Sequence, residues 1–361
     1  MTQQNERLPV TVVTGFLGAG KTTLLRHLLL HSGQRLAVLV NEFGEVGIDG
    51  DLLRSCGFCP EDELDTRLVE LANGCLCCTV QDDFLPTMER LLERANSLDG
   101  IVVETSGLAL PEPLIAALNW PQIRTRVRLN GVVAVVDGEA LAAGSVVANP
   151  EALETQRLAD PSLDHATAID ELFSEQLEAA DLVLISRADC LSAGEIDLVH
   201  KGLAPQLQPG AVLLSISRGA VSSDVVLGIG RRQKTTTGHG DHDHDHEHHD
   251  HSHVEIESLA LRLYGDFSRA VLEQQLLQLV KDSAILRLKG RLWSSVKTRP
   301  LQIQAVGPRL ECWFEPGSGQ ASDEHQPPGL ELVLLGFKLD RQDIEACLHQ
   351  ALTSAMQAGT T

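Results

Sequence analysis

The sequence predicts an α/β protein: a mostly parallel sheet covered by helices, followed by a smaller α+β domain. Three observations predict it. Short β-branched runs alternate with amphipathic helical stretches from residue 9 to about Ser217. A polar stretch from Arg231 to His253 then breaks the pattern, with no apolar periodicity from which to build a core. Beyond it the order becomes a strand, a helix, a run of strands and a last helix. With 361 residues there is room for two ordinary domains at roughly 150 residues each. The expected boundaries are 1–222, a histidine-rich linker or loop at 223–253, and 254–361.

Taken in order, "PVTVVTG" is an apolar strand leading into a helix from about Lys21, and "RLAVLVN" is the next strand. "RLVELAN" precedes a helix from about Asp82; "GIVVETS", "GVVAVVDG", "DLVLIS" and "AVLLSIS" complete a set of short, nearly continuous apolar runs. Continuous runs of this kind fit strands covered on both faces, as parallel strands are. After the polar stretch come "VEIESLALRLYG", a helix near Ser268, strands at "AILRLKGRLW", "LQIQAVG", "RLECWFE" and "ELVLLGFKL", and a helix from about Asp340.

The first strand ends in "GFLGAGKTT", which fits G-x-x-x-x-G-K-[ST] at Gly15, Gly20, Lys21 and Thr22 between a strand and a helix. Gly15, Gly18, Ala19 and Gly20 let backbone N–H groups close around phosphate oxygens. Lys21 neutralises β/γ charge, and Thr22 with Thr23 opens the helix, the Thr22 hydroxyl being the candidate for Mg²⁺. The N-terminal part is therefore expected to be a P-loop NTPase. Glu104, closing the strand "IVVE", stands where an acidic partner of that Mg²⁺ belongs, and Gly107 can bring its N–H to the γ-phosphate. Asp137 is a similar strand-end acid with an even claim to a structural role.

The base is read at "LVLISRADC". Asp189 there can accept both N1–H and N2–H₂ of guanine, which adenine cannot supply. Ser186 and Arg187 occupy the places of Asn and Lys in the usual Asn-Lys-x-Asp guanine motif. Ser215 to Ser217 close the following strand and are weaker candidates for flanking the base.

Eight cysteines and a start, "MTQQNERLPV", without the basic and apolar pattern of a secretory leader argue for reduced thiols and a cytoplasmic protein. No run of about 18 apolar residues suggests a membrane span. A formal charge of −21 argues against nucleic acid or an anionic membrane as partner. Cys190, Cys312 and Cys347 stand alone and are expected to fill core. Cys75, Cys77 and Cys78, in "ELANGCLCCTV", do not follow the paired C-x₂-C spacing of structural zinc sites. Three soft thiolates hold Zn²⁺, Co²⁺ or Cu⁺ and leave a position open, which suits transfer of an ion. A redox pair is the alternative. Cys56 and Cys59 either complete a four-thiolate set or form a separate one.

Eight of the fourteen histidines lie between His239 and His253, interleaved with Asp and Glu. His242, His244, His246, His248, His249, His251 and His253 are candidate ligands of a loose metal collector, since imidazole with carboxylate suits Zn²⁺, Ni²⁺ or Co²⁺.

Together, "GFLGAGKTT", "NEFGEVGIDG", "ELANGCLCC", "ETSG", "ISRAD", the histidine stretch, "LRLKGRLW" and "LLGFKLD" resemble the CobW family of P-loop GTPases over nearly the whole chain. The resemblance implies a GTPase that loads a divalent metal, Co²⁺ or Zn²⁺, at Cys75, Cys77 and Cys78. It would release the ion to a client metalloprotein or metal chelatase on GTP hydrolysis, in a role linked to cobalamin biosynthesis. It also implies that "NEFGEVGID" is a switch, with Glu42, Glu45 and Asp49 as contacts for Mg²⁺, metal or attacking water. A zinc chaperone serving other metalloenzymes, or another P-loop NTPase or kinase with a metal-storage loop, is the alternative. A homodimer is left open.

Overall fold

The computed structural model describes residues 7–40, 68–70, 84–159, 169–228, 256–314 and 327–352. Seven strands form one sheet: β1 (Leu8–Thr14), β2 (Leu36–Val40), β3 (Leu68–Glu70), β4 (Gly100–Glu104), β5 (Val127–Asp137), β6 (Leu182–Ser186) and β7 (Val212–Ser215). Their spatial order is β3-β2-β4-β1-β5-β6-β7, and every pairing is parallel. The expected parallel sheet is present, strand for strand.

Consecutive apolar residues in these strands serve opposite faces. Ile101 and Val103 pack with Met88 and Leu92 of α2 (Leu85–Glu93), while Val102 packs with Leu24, Leu25 and Leu28 of α1 (Lys21–His31). A third cluster joins Ala134, Val136, Val183 and Ile185 to Phe173 and Leu177 of α6 (Ile169–Ala179) and Val199 of α7 (Ala193–Leu203). Between these lie α3 (Glu112–Leu118), α4 (Gly138–Ala142) and α5 (Pro150–Ala159); α8 (Ser223–Leu227) follows β7. The start of β5 lies four residues earlier than "GVVAVVDG" suggests. A register shift between Val10 and Thr11 absorbs the extra residue, with Gly131 at φ 153°.

The second sheet is antiparallel, in the order β11-β10-β9-β12-β8. Its strands are β8 (Glu257–Tyr264), β9 (Ile285–Ser294), β10 (Lys297–Val306), β11 (Arg309–Phe314) and β12 (Gly329–Gly336). Helices α9 (Arg269–Asp282) and α10 (Arg341–His349) cover one face through Leu272, Leu276, Ile344 and Leu348. Alternation along β8, with Leu261 and Leu263 buried between exposed neighbours, is the period-2 pattern of a sheet with one solvated face.

A polar seam joins the two sheets. Arg287 of β9 is 1% exposed and donates to the carbonyls of Asn130, Val225 and Val226, the first at 2.9 Å. Asn130 donates to Thr11 Oγ1 and Leu227 O, both at 2.9 Å, and accepts from Gln304 of β10 at 2.6 Å. Arg309 of β11 donates to Asp181 at 2.9 Å. Asn130 lies near the start of β5 and Asp181 just before β6, so the second sheet meets the first near its amino-terminal strand ends. Its carboxyl ends are left for chemistry.

Candidate nucleotide site

The phosphate loop leaves β1 at Thr14 and enters α1 at Lys21. Gly15, Gly18 and Gly20 have φ of 133°, 76° and 106°, conformations that side chains resist. Space enforces the first of these as well, since a Cβ on Gly15 would lie 2.1 Å from the Val135 carbonyl oxygen. The loop closes through Ala19 N–H to Phe16 O at 3.2 Å, and α1 begins with Leu24 N–H to Gly20 O at 3.0 Å.

Lys21 is buried, folded back over the loop, and donates to the carbonyls of Gly15 and Phe16 at 2.8 and 3.2 Å. Its ammonium lies 3.9 Å from Glu104 Oε1. Glu104, 3% exposed, sits at the end of β4 opposite Val13 of β1 and Val40 of β2. Thr22 is half-buried and Thr23 exposed at the first turn of α1. Strand pairing thus brings together the two charges that the sequence separates by 83 positions.

Gly107 packs against the same loop, where a Cβ would meet Leu17 N at 2.6 Å. The Gly107 and Ala109 carbonyls accept from Gln176 Nε2, both at 3.1 Å. Gln176 is 1% exposed on α6. Nothing in its sequence neighbourhood marks it, because its role depends on α6 passing under this turn.

Just after β6, Arg187 has φ 56° and reaches two ways: Nη1 donates to Asp137 Oδ2 at 2.5 Å and Nη2 to Gly18 O at 3.1 Å. Asp137 also accepts from Ala140 N–H at 3.2 Å, capping α4. That gives Asp137 a structural part. Ser186, at the end of β6, is buried; its Oγ has no hydrogen-bond partner among the described residues, and a Cβ on Gly20 would lie 3.5 Å from Ser186 Cβ. Asp189 follows on an exposed turn, with Arg218 Nε 3.7 Å from its Oδ2. The Ser215 hydroxyl pairs with His200 Nε2 at 2.9 Å.

Cys190 does not fill core: it is exposed beside Asp189, while Cys312 and Cys347 are partly buried among the second sheet and its helices. Burial and Glu273 push the Cys312 thiol up to about 12, and burial also raises Cys347, so both are protonated at neutral pH. Glu42, Glu45, Asp49, Cys56, Cys59, Cys75, Cys77, Cys78, His242, His244, His246, His248, His249, His251 and His253 lie outside the described residues. Among the described residues, no group of three or more His, Cys, Asp or Glu side chains is arranged to hold a metal, and no helix is long and apolar enough to cross a membrane.

Comparison with known proteins agrees with this geometry. Residues 9–213 match the CobW/HypB/UreG nucleotide-binding domain, and residues 256–352 match the cobalamin synthesis protein cobW C-terminal domain. A protein of Pseudomonas aeruginosa named zinc chaperone CobW is 45% identical over 96% of this chain and 92% of its own length. One of the same name from Sinorhizobium is 39% identical, over 96% of this chain and 97% of that one. The solved structure of Zn(II)-bound YjiA GTPase from E. coli aligns over 97% of this chain and all of its own, with a TM-score of 0.40 and 23% identity. Phosphate loop, strand-end acid and second sheet thus occur in a chain that belongs to the CobW/HypB/UreG family and carries its CobW C-terminal domain.

Proposed function

We propose that this chain is a GTP-hydrolysing metallochaperone, which binds a divalent transition metal at Cys75, Cys77 and Cys78 and hands it to a client metalloprotein or chelatase. The observation that carries the reading is the placement of Lys21, Glu104, Arg187 and Asp189 at the carboxyl ends of β1, β4 and β6 of one parallel sheet, in a chain that also holds a C-x-C-C run. Lys21 and the amides of residues 15–23 take the phosphates. Asp189 takes the guanine, with Ser186 and Arg187 beside it, and the Gly107 N–H faces the γ-phosphate. The buried Glu104 carboxylate and the Thr22 hydroxyl are hard oxygen donors at one end of the loop, a donor set that fits Mg²⁺. Mg²⁺ bound there would neutralise charge on the phosphoryl oxygens.

The switch 41–50, with Glu42, Glu45 and Asp49, follows β2, whose last residue Val40 is paired with Glu104. In the proposed cycle GTP raises the metal affinity of the thiols through that segment, and hydrolysis lowers it. The histidines of 239–253 collect metal loosely. The units are 1–222, 223–253 and 254–361.

Zinc is the first choice of cargo, supported by the names of the two bacterial relatives. Cobalt, with a place in cobalamin synthesis, is the second, favoured by the C-terminal family match. Both are borderline acceptors of thiolate and imidazole. The test is a competitive titration of Zn²⁺ and Co²⁺ against the apo, Mg²⁺-GTP and Mg²⁺-GDP forms at buffered free metal. Affinity should be highest with GTP and lost when Cys77 and Cys78 are both changed to Ser; equal affinity in all three states would sink the gating. Lys21→Ala should reduce hydrolysis at least a hundredfold, on the order of a lost charged phosphate contact.

A further inference from the structure

We propose that His27, on the helix that leaves the phosphate loop, is a positioning residue for base recognition. It acts on the turn that carries Arg218, and the proposal rests on the reading that Asp189 accepts guanine. Four observations support it.

The turn Ser217–Ala220 is closed by Ala220 N–H to Ser217 O at 2.9 Å, and both of its central residues are left-handed, Arg218 at φ 51° and Gly219 at φ 74°. A non-glycine residue held in that conformation needs its surroundings to impose it. Arg218 is 90% exposed, and it lies 3.7 Å from Asp189 rather than packing into the core. So the strained residue faces the acid that reads the base.

The turn rests directly on α1. A Cβ on Gly219 would lie 2.8 Å from Thr23 O and 3.1 Å from Leu24 N, so glycine is required both by φ and by contact. One helical turn further along, the His27 ring meets the Val221 backbone, with Nε2 3.2 Å from Val221 O and 3.4 Å from Val221 N. His27 is half-buried, and its ring stacks on His31 with centroids 4.4 Å apart. The stacking fixes the ring plane, and the ring fixes Val221. Two points of support therefore tie the Arg218 turn to the phosphate helix, one from glycine packing and one from His27.

Removing the imidazole leaves the Gly219 contact and frees the far side of the turn. Arg218 then no longer keeps its charge beside the Asp189 carboxylate. Such a loss falls on guanine, which uses that carboxylate, and not on the phosphates, which are held by the loop. A nucleotide whose base makes no bond to Asp189 is the internal control.

The experiment measures kcat and KM for GTP and for ATP with Mg²⁺ on the full chain, comparing wild type with His27→Ala, His27→Gln and Arg218→Ala. His27→Ala should raise KM for GTP by about two- to tenfold, the range for one lost hydrogen bond, with a smaller change in kcat and in KM for ATP. His27→Gln, whose amide can donate to Val221 O, should recover most of the preference. Arg218→Ala, an exposed change that leaves folding intact, should lower it likewise. The double variant should be no worse than the worse single, since both act through one turn. Equal losses for GTP and ATP, unchanged preference in folded variants, or additive effects would overturn the proposal. A wild type without preference for GTP overturns the base reading and this proposal with it; a preferring wild type whose variants keep that preference overturns this proposal alone.

Discussion

His27 and His200 share an electrostatic setting that gives folding a dependence on pH. Burial holds both imidazoles below their ordinary pKa; the charge of His31 adds to the effect at His27, and Asp197 partly offsets it at His200. With a native pKa below the unfolded one, the unfolded chain binds more protons near that pKa. The stability in question is present above the unfolded value and lost as pH falls through the native one. The thermal midpoint of the wild type should therefore fall between about pH 7.5 and pH 5.5, and the double variant His27→Gln/His200→Gln should show a flatter profile. Groups common to both proteins drop out of that difference, and parallel profiles would remove these two histidines as its cause. At the same scale, Arg187 shows how much a residue's neighbours decide. Its place in "ISRAD" is visible in the sequence, but only the fold shows its guanidinium joining Asp137 to the Gly18 carbonyl.

Among the elements, the phosphate loop is where sequence and geometry agree most closely. Its glycines are fixed by the motif, and the structure adds the reason at Gly15, which lies against Val135 of the neighbouring strand. Gly15→Ala combines a positive φ with a collision against backbone, so the loop cannot keep its form. Binding of a fluorescent GDP should fall at least about a hundredfold while far-UV circular dichroism keeps its helix and strand content, since the clash is local. Retention of affinity would mean that β5 yields at Val135. The strands were legible because residues buried on both faces must be apolar at every position. The early part of β5 was less so: "RVRLN" carries two arginines and an asparagine. Their partners come from distant segments: Arg126 donates to the Leu92 carbonyl, Arg128 lies over the Trp313 ring at 4.9 Å, and Asn130 bonds Thr11, Leu227 and, across the seam, Gln304.

Across the whole molecule, that seam decides whether the two sheets unfold together. Arg287 is fully buried against three carbonyls, and burial lowers its pKa, so its charge is tolerated only while those acceptors and Asp181 face it. Leu286 beside it joins the apolar cluster of the first sheet. Arg287→Met keeps apolar bulk but leaves the Val225, Val226 and Asn130 carbonyls with one donor fewer, a cost of roughly 3–5 kcal/mol. In urea the wild type should unfold in one transition by tryptophan fluorescence, with Trp120 reporting on the first sheet and Trp293 and Trp313 on the second. Arg287→Met should unfold at lower urea and in two steps. A single transition at the wild-type midpoint would show that the seam does not couple the sheets.

By itself, the sequence determined the class of fold, the phosphate loop, the strand-end acids and the family, because each is written in local spacing: apolar runs, glycines at fixed intervals, a lysine after them. Tertiary structure alone decided that Glu104 faces Lys21, that Gln176 supports Gly107, that His27 reaches Val221 across 194 positions and that Arg287 joins the sheets. A hydrogen bond or ion pair between distant segments depends on strand order and register, which no local pattern encodes.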